Sequence, residues 1–148
     1  MMRPGTYYVG DLCYVMHPQW REVCDLMFAT DGNGTLDGEF NLANGVRFAL
    51  HGTAYGDGVY EDAEGRKYPV DAGIIGCIRV EDVYDPEWWL EGVHTITFNH
   101  PFDLQYYNGL FRFVEYKPNG GINVVLEIET NPEDELEDEV EELDNEEL

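Results

Sequence analysis

Apolar residues that alternate with polar ones on either side of short glycine turns limit the fold of this chain more than any other feature. One such turn, Ala-Asn-Gly at 43–45, separates the alternating runs 40–42 and 46–50. This period is typical of β-strands with one buried face. A two-residue loop would set the apolar face of one strand against the polar face of the other. A three-residue loop instead pairs Phe40 with Phe48 and places the glycine where a left-handed residue is needed, so we predict a hairpin with this loop.

Two further hairpins follow from the same reasoning. The stretch 62–66 predicts another three-residue loop, 63–65, closed by a left-handed Gly65. The dipeptide Asn108-Gly109 is instead typical of a two-residue type I′ loop. The facing pairs expected across these two loops are Tyr60 with Tyr68 and Tyr106 with Phe111. Repeated hairpins of this kind indicate antiparallel β-structure.

One amphipathic helix is predicted over about 18–29, because Pro18 suits a first helical position and apolar residues then recur at the spacing of one buried helix face. The residues with this spacing are Trp20, Val23, Cys24 and Met27. A short second helical turn is predicted at about 86–90, where an Asp-Pro pair precedes an acidic residue.

Other apolar runs complete the predicted fold. The segment Thr6–Met16 is interpreted as two short strands or one bent strand, and 74–80 as a buried strand with a bend or bulge at Gly76. The fold class predicted is mainly β within α+β: a small antiparallel β-sandwich or barrel-like sheet with one amphipathic helix. With 148 residues and 43% hydrophobic content, the chain can bury one core. We therefore predict a single β-rich domain over 1–130 and an acidic, disordered tail over 131–148.

Charge limits the class of partner. The formal net charge is -23, and the tail holds eleven acidic residues and no basic one. Such a surface repels nucleic acid and anionic lipid and attracts basic proteins.

The sequence also lacks a leader and a run of about 20 apolar residues, so a soluble, cytoplasmic protein with no membrane contact is expected. The odd number of cysteines, 3, fits reduced thiols.

Three aspartates beside glycines form the first candidate site. Asp11, Asp57 and Asp71 each stand at the end of a strand-like segment. Carboxylates brought together there could bind a small ligand or a divalent cation, or act as acid and base. The same residues are also ordinary turn chemistry, because an Asp side chain accepts from a following backbone N–H. Both interpretations stay open, and no cofactor is predicted.

A thiol site is the weaker chemical candidate. Cys13 with His17 or His51 could form a nucleophile and its base. However, Cys13 lies in an apolar run, and burial raises the pKa of a thiol and makes it less reactive. An anionic ligand would draw on only eight basic residues and would require Arg47, Arg66 and Lys67 to converge.

Aromatic and acidic residues form the candidate partner-binding site. Tyrosine and tryptophan offer large contact areas at low entropy cost, and one of Tyr106 and Tyr107 must point outward from a strand. The partner-binding residues predicted are Trp88, Trp89, Tyr107, Glu133, Asp134, Glu135, Glu137, Asp138 and Glu139.

Three motifs resemble those of a family of small acidic proteins encoded by bacteriophages and bacteria. They are GD-x-CYV at 10–15, YGDG-x-Y at 55–60 and VD-[AS]-G-x-IG at 70–76, in that order. The resemblance covers roughly 5–80. It implies a phage or prophage setting, with the host cytoplasm as location, and assigns no catalytic residue.

The leading functional hypothesis is a non-enzymatic, phage-type inhibitor that mimics nucleic acid. It binds a basic host protein, for example a defence protein or another nucleic-acid-binding protein, and makes no direct contact with nucleic acid. The first alternative is a binding module for a small ligand or divalent cation, for example a signal-molecule sponge, built from the Gly-Asp turns and aromatic residues. The second alternative is a carboxylate- or thiol-dependent enzyme. The sequence leaves the oligomeric state open.

Overall fold

The protein is described by a computed structural model that covers residues 1–29, 37–83 and 94–131. This part of the chain forms ten strands and one α-helix, α1, over Trp20–Ala29. The strands are β1 Gly5–Gly10, β2 Asp37–Asn41, β3 Arg47–Gly52, β4 Gly58–Asp62, β5 Lys67–Val70, β6 Ile74–Arg79, β7 His94–Phe98, β8 Phe102–Tyr107, β9 Leu110–Tyr116 and β10 Ile122–Glu129.

The strands form two five-stranded sheets in which every pairing is antiparallel. The first sheet has the order β2-β3-β6-β1-β7, and the second has the order β5-β4-β10-β9-β8. The predicted fold class is therefore confirmed: the protein is mainly β, with the two sheets of a small sandwich and one short helix.

The first sheet is buried on both faces. Its inner face packs against the second sheet in a core that includes Tyr7, Cys77, Phe111 and Ile128. Its opposite face packs against α1 and the turns that precede the helix, in a separate core that includes Tyr8, Leu12, Val23, Met27, Phe48 and Ile78. The layers are thus helix, first sheet and second sheet, and the second sheet turns its outer face away from the first.

The predicted hairpin loops are confirmed. Phe40 pairs with Phe48 and Tyr60 with Tyr68, so both three-residue loops have the expected register. Gly45 and Gly65 close them with φ of 92° and 87°, values at which a Cβ would be strained. The two-residue loop at 108–109 likewise matches the predicted facing residues of β8 and β9, and Asn108 has φ of 48°.

The structure corrects the prediction for the segment Thr6–Met16. β1 ends at Gly10, and Leu12–Tyr14 is a 3-10 turn instead of a second strand or the continuation of a bent one. The reason is side-chain capping: Asp11 precedes the turn and its carboxylate accepts a hydrogen bond from the backbone N–H of Cys13, which favours a helical turn over an extended strand.

Gly76 is a second correction. The strand predicted at 74–80 is β6, but its register with both neighbouring strands runs through Gly76 without a bulge. A Cβ at this position would lie 2.1 Å from the carbonyl oxygen of Ala49 on β3. The glycine therefore allows a close approach between strands and introduces no bend.

The predicted helix is confirmed. A 3-10 turn over His17–Gln19, with a proline near its start, leads into α1, and Val23 and Met27 are buried. The predicted turn at 86–90 and residues 132–148 of the predicted tail lie outside the described residues. No helix in the described ranges is both long and apolar enough to cross a membrane.

Candidate functional site

The loops that carry the three glycine-flanked aspartates lie side by side. Asp11 follows β1, Asp71 follows β5 and Asp57 precedes β4. The backbone N–H of Thr53 donates to the carbonyl oxygen of Gly73 at 2.9 Å, which joins the loop before β4 to the loop after β5. The structure thus brings together three segments that are distant in sequence.

Asp11 joins two of these segments through its carboxylate. Its side chain is fully buried, and Oδ1 accepts from the N–H of Cys13 at 2.9 Å. Oδ2 accepts from the N–H groups of Asp71 and Ala72 at 2.8 and 2.6 Å. Both oxygens therefore accept hydrogen bonds from backbone N–H groups, as expected if Asp11 is a turn residue.

Asp71 and Asp57 have exposed side chains and remain accessible to a ligand. The hydroxyl of Tyr14 donates to Oδ2 of Asp71 at 2.5 Å, and burial together with this bond raises the pKa of Tyr14. Across residues 1–29, 37–83 and 94–131, no three or more His, Cys, Asp and Glu side chains are grouped so as to hold a metal ion. A ligand role for Asp57 and Asp71 stays a prediction.

Burial raises the pKa of two thiols, those of Cys13 and Cys77. Burial, followed by the hydrogen bond and charge of Asp11, raises the pKa of Cys13 to about 12. Burial also raises the pKa of Cys77, which lies in the core between the sheets. A thiol with so high a pKa is almost entirely protonated at neutral pH. His51, a candidate base for Cys13, is stacked on Tyr106 instead, with 5.0 Å between the ring centroids. These observations weigh against thiol catalysis.

Asp62 and Glu115 are buried carboxylates that stabilise loops. Oδ1 of Asp62 accepts from the backbone N–H groups of Glu64 and Arg66, both at 2.9 Å, and Oδ2 accepts from the hydroxyl of Tyr68 and Nε of Arg66. Burial acts to raise the pKa of Asp62, but these hydrogen bonds outweigh it and hold the pKa below its usual value. The pKa of Glu115 is lowered for the same kind of reason.

We expect the contribution of Asp62 to stability to depend on pH. Because its pKa is lower in the folded than in the unfolded state, the contribution is present above the unfolded value of about 3.9 and is lost as pH falls through the folded value. Urea unfolding should show a larger deficit for Asp62→Asn at pH 7 than at about pH 3. The quantity to measure is the difference in unfolding free energy between wild type and variant at each pH. Protonation of the other carboxylates relieves repulsion in both proteins alike, so the difference removes that effect. The exposed Glu64→Gln serves as control, and an Asp62→Asn deficit that is the same at both pH values would contradict the assignment.

The outer face of the second sheet carries most of the large apolar side chains that are exposed in the described part of the chain. Four large apolar side chains project from it: Tyr107 is 80% exposed, Ile122 67%, Val59 63% and Val124 39%. The strand registers place four carboxylates on the same side of the sheet. These carboxylates belong to Glu61, Asp103, Glu127 and Glu129.

One continuous row of this face crosses all five strands. It runs from Tyr107 through Leu110, Glu129 and Glu61 to Lys67. Along this row two apolar residues are followed by two acidic ones and a lysine, and such a combination of apolar anchors and charged groups suits a protein interface.

The partner-binding residues predicted from the sequence are only partly described. Tyr107 lies on the outer face, whereas Tyr106 is half-buried against the core, so the alternation of the strand held. Trp88, Trp89 and the acidic residues 133–139 lie outside the described ranges. Val59, Ile122 and Val124 were not predicted as surface residues. The alternation around Tyr60 contained the signal for Val59. It did not for Ile122 and Val124, because a register shift between Val124 and Leu126 turns them away from the core side of Leu126 and Ile128. No family model, curated protein or solved structure matches this chain.

Proposed function

We propose that this protein is a non-enzymatic binding protein of phage type that engages a basic, nucleic-acid-binding host protein and blocks it by resembling nucleic acid. The observation that carries the proposal is the outer face of the second sheet, where exposed apolar side chains stand among carboxylates. The apolar residues supply contact area, and the carboxylates select for a basic partner.

The distribution of basic residues supports the proposal. Several arginines are paired with carboxylates of the same chain: Arg66 lies 2.6 Å from Asp62, Arg112 3.2 Å from Glu127 and Arg79 3.2 Å from Glu81. These pairs lower the number of cations that face solvent in a chain with a formal charge of -23. Lysine and arginine clusters that bind phosphate also accept spaced carboxylates, so a nucleic-acid-binding surface is the chemistry that this protein complements.

The states of two catalytic candidates, Asp11 and Cys13, favour binding over catalysis. Asp11 has both carboxylate oxygens engaged by backbone N–H groups, and Cys13 has a pKa raised to about 12. Neither group is available to accept a proton from a substrate or attack it.

We expect affinity for the partner to fall when the outer face is neutralised. After capture from bacterial lysate at low salt, the purified partner is titrated with wild type, with the double variant Glu61→Gln/Glu129→Gln, and with Asp25→Asn/Glu81→Gln, which removes the same charge elsewhere. The outer-face variant should bind several-fold more weakly than the control. Raising salt from about 50 to 200 mM should weaken binding by roughly tenfold or more, and DNA should compete.

The tail provides a second arm of this experiment. Converting its Glu and Asp residues to Gln and Asn should lower the association rate more than it raises the dissociation rate, because distant charges act mainly by steering. A partner that binds equally well at both salt concentrations, is indifferent to DNA and tolerates both sets of substitutions would refute nucleic-acid mimicry.

A further inference from the structure

A cleft of ≈ 180 Å³ opens at one end of the first sheet, where β3 begins and β6 ends. Arginines from three separate segments line it: Arg3 from the N-terminal segment, Arg47 from β3 and Arg79 from β6. Tyr7 and Asp82 line the same cleft. Three of the chain's 8 lysines and arginines therefore meet at one place in a protein whose net charge is -23.

The sheet register explains how two of these arginines become neighbours. Phe48 pairs with Ile78, so the adjacent residues Arg47 and Arg79 occupy neighbouring positions on β3 and β6. They alternate onto the inner face of the sheet, the side that carries Ala49 and Cys77 in the core between the sheets. Like charges on adjacent strands repel each other, and here carboxylates offset the repulsion, Glu39 beside Arg47 and Glu81 beside Arg79.

The carboxylates near the cleft do not pair with every cationic donor there. Arg47 is paired with Glu39, but Glu39 is shared with the N-terminal amine, whose nitrogen lies 2.8 Å from its Oε1. The Nε of Arg47 is buried and has no hydrogen-bond acceptor among residues 1–29, 37–83 and 94–131. A buried donor without an acceptor costs free energy. An anion bound in the cleft would accept the missing hydrogen bond.

Arg3 and Arg79 add further donors. The side chain of Arg3 is exposed and makes no hydrogen bond or ion pair within the described ranges. Arg79 donates to the carbonyl oxygen of Pro4 at 3.0 Å through Nη2 and faces the exposed Glu81 with Nη1. The cleft thus combines one free guanidinium with two that are held in place, an arrangement suited to binding a multivalent oxyanion.

We propose that this cleft binds a small ligand through its phosphate group. The planar guanidinium fork matches phosphate oxygens in a bidentate manner, and several forks around one group favour phosphate over a singly charged anion. The ligand is small because the cleft is small and because repulsion from the acidic surface grows with the charge of a polyanion. Asp82 at the same cleft suits a hydroxyl or amino group on the ligand next to its phosphate.

This site shares only Arg47 with the set of basic residues that the sequence suggested for an anion, Arg47, Arg66 and Lys67. Arg66 and Lys67 lie on the hairpin of β4 and β5 in the second sheet, where Asp62 binds the guanidinium of Arg66. The cleft also differs from the outer face of the second sheet, so the proposal does not rest on binding of a protein partner.

The test is calorimetric titration of the full-length protein with inorganic phosphate at constant ionic strength. The variants are Arg47→Gln and Arg3→Gln, and the second protects against a folding defect because the Arg3 side chain has no partner in the described structure. Each should weaken phosphate binding by about tenfold, the loss expected for a charge-assisted hydrogen bond. Arg112→Gln is the matched control, since it removes an arginine from the outer face and should leave affinity unchanged.

Two further probes decide the ligand class. Chloride at equal ionic strength should produce no saturable heat, and succinate should bind more weakly than phosphate. Absence of saturable phosphate binding at millimolar concentrations, or equal affinity in wild type, Arg3→Gln and Arg47→Gln, would overturn the site. Succinate that binds as tightly as phosphate would overturn the phosphate assignment.

Discussion

Replacing Asp11 with alanine is expected to lower the free energy of unfolding by about 3–5 kcal/mol. The carboxylate is fully buried and accepts from three backbone N–H groups, those of Cys13, Asp71 and Ala72. The three hydrogen bonds are part-buried, and a donor that loses its acceptor where water cannot replace it costs about 1–3 kcal/mol. The loss also separates the end of β1 from the loop after β5. Urea unfolding followed by tryptophan fluorescence measures the difference.

Two variants calibrate this result. Asp71→Asn alters an exposed side chain and should change stability by less than about 1 kcal/mol. Asp11→Asn keeps one acceptor oxygen but turns an amide N–H₂ toward backbone donors, so its stability should lie between that of wild type and Asp11→Ala. If Asp11→Ala unfolds at the wild-type urea concentration, Asp11 is not a structural residue and the ligand-site interpretation regains weight.

Replacing Gly76 with alanine should cost about 3 kcal/mol or more. The added Cβ would lie 2.1 Å from the carbonyl oxygen of Ala49 and 2.9 Å from the Cα of Leu50. Because the first sheet is packed on both faces, β3 and β6 cannot separate there without disturbing two cores. A loss of this size should lower the thermal midpoint by about 10 °C.

Gly45→Ala separates steric overlap from backbone strain. Gly45 has φ of 92° and no atom within 4 Å of an added Cβ, so alanine there suffers only strain of about 1–2 kcal/mol. Gly76 has no positive φ, and its penalty is steric alone. Equal losses in the two variants would show that the close approach of β3 and β6 is not the reason for glycine at position 76.

The candidate sites were predictable to different degrees. The aspartates at 11, 57 and 71 were found because each stands beside a glycine, and their loops do meet. The role of Asp11 could not be read from that pattern, because its donors include N–H groups about sixty residues away in sequence. The grouping of Arg3, Arg47 and Arg79 in one cleft was missed because no local motif links them. Strand pairing makes Arg47 and Arg79 neighbours, and Arg3 comes from the segment before β1.

The sequence by itself determined the hairpins of this protein. Loop length, a left-handed glycine and the alternation of apolar residues act within a few positions, so the pairs Phe40 with Phe48 and Tyr106 with Phe111 follow from local geometry. The helix followed in the same way from the spacing of Val23 and Met27.

Only the tertiary structure decided how these hairpins divide between two sheets and which faces are buried. In β3 the alternation marked Phe48 and Leu50 as the inward side, yet Ala49 is also buried, because α1 covers one face of the first sheet and the second sheet covers the other. That outcome depends on the pairing of β1 with β6 and β7, strands far apart in the chain. Such pairings are selected by competition among all the apolar faces at once, and no local pattern records the result.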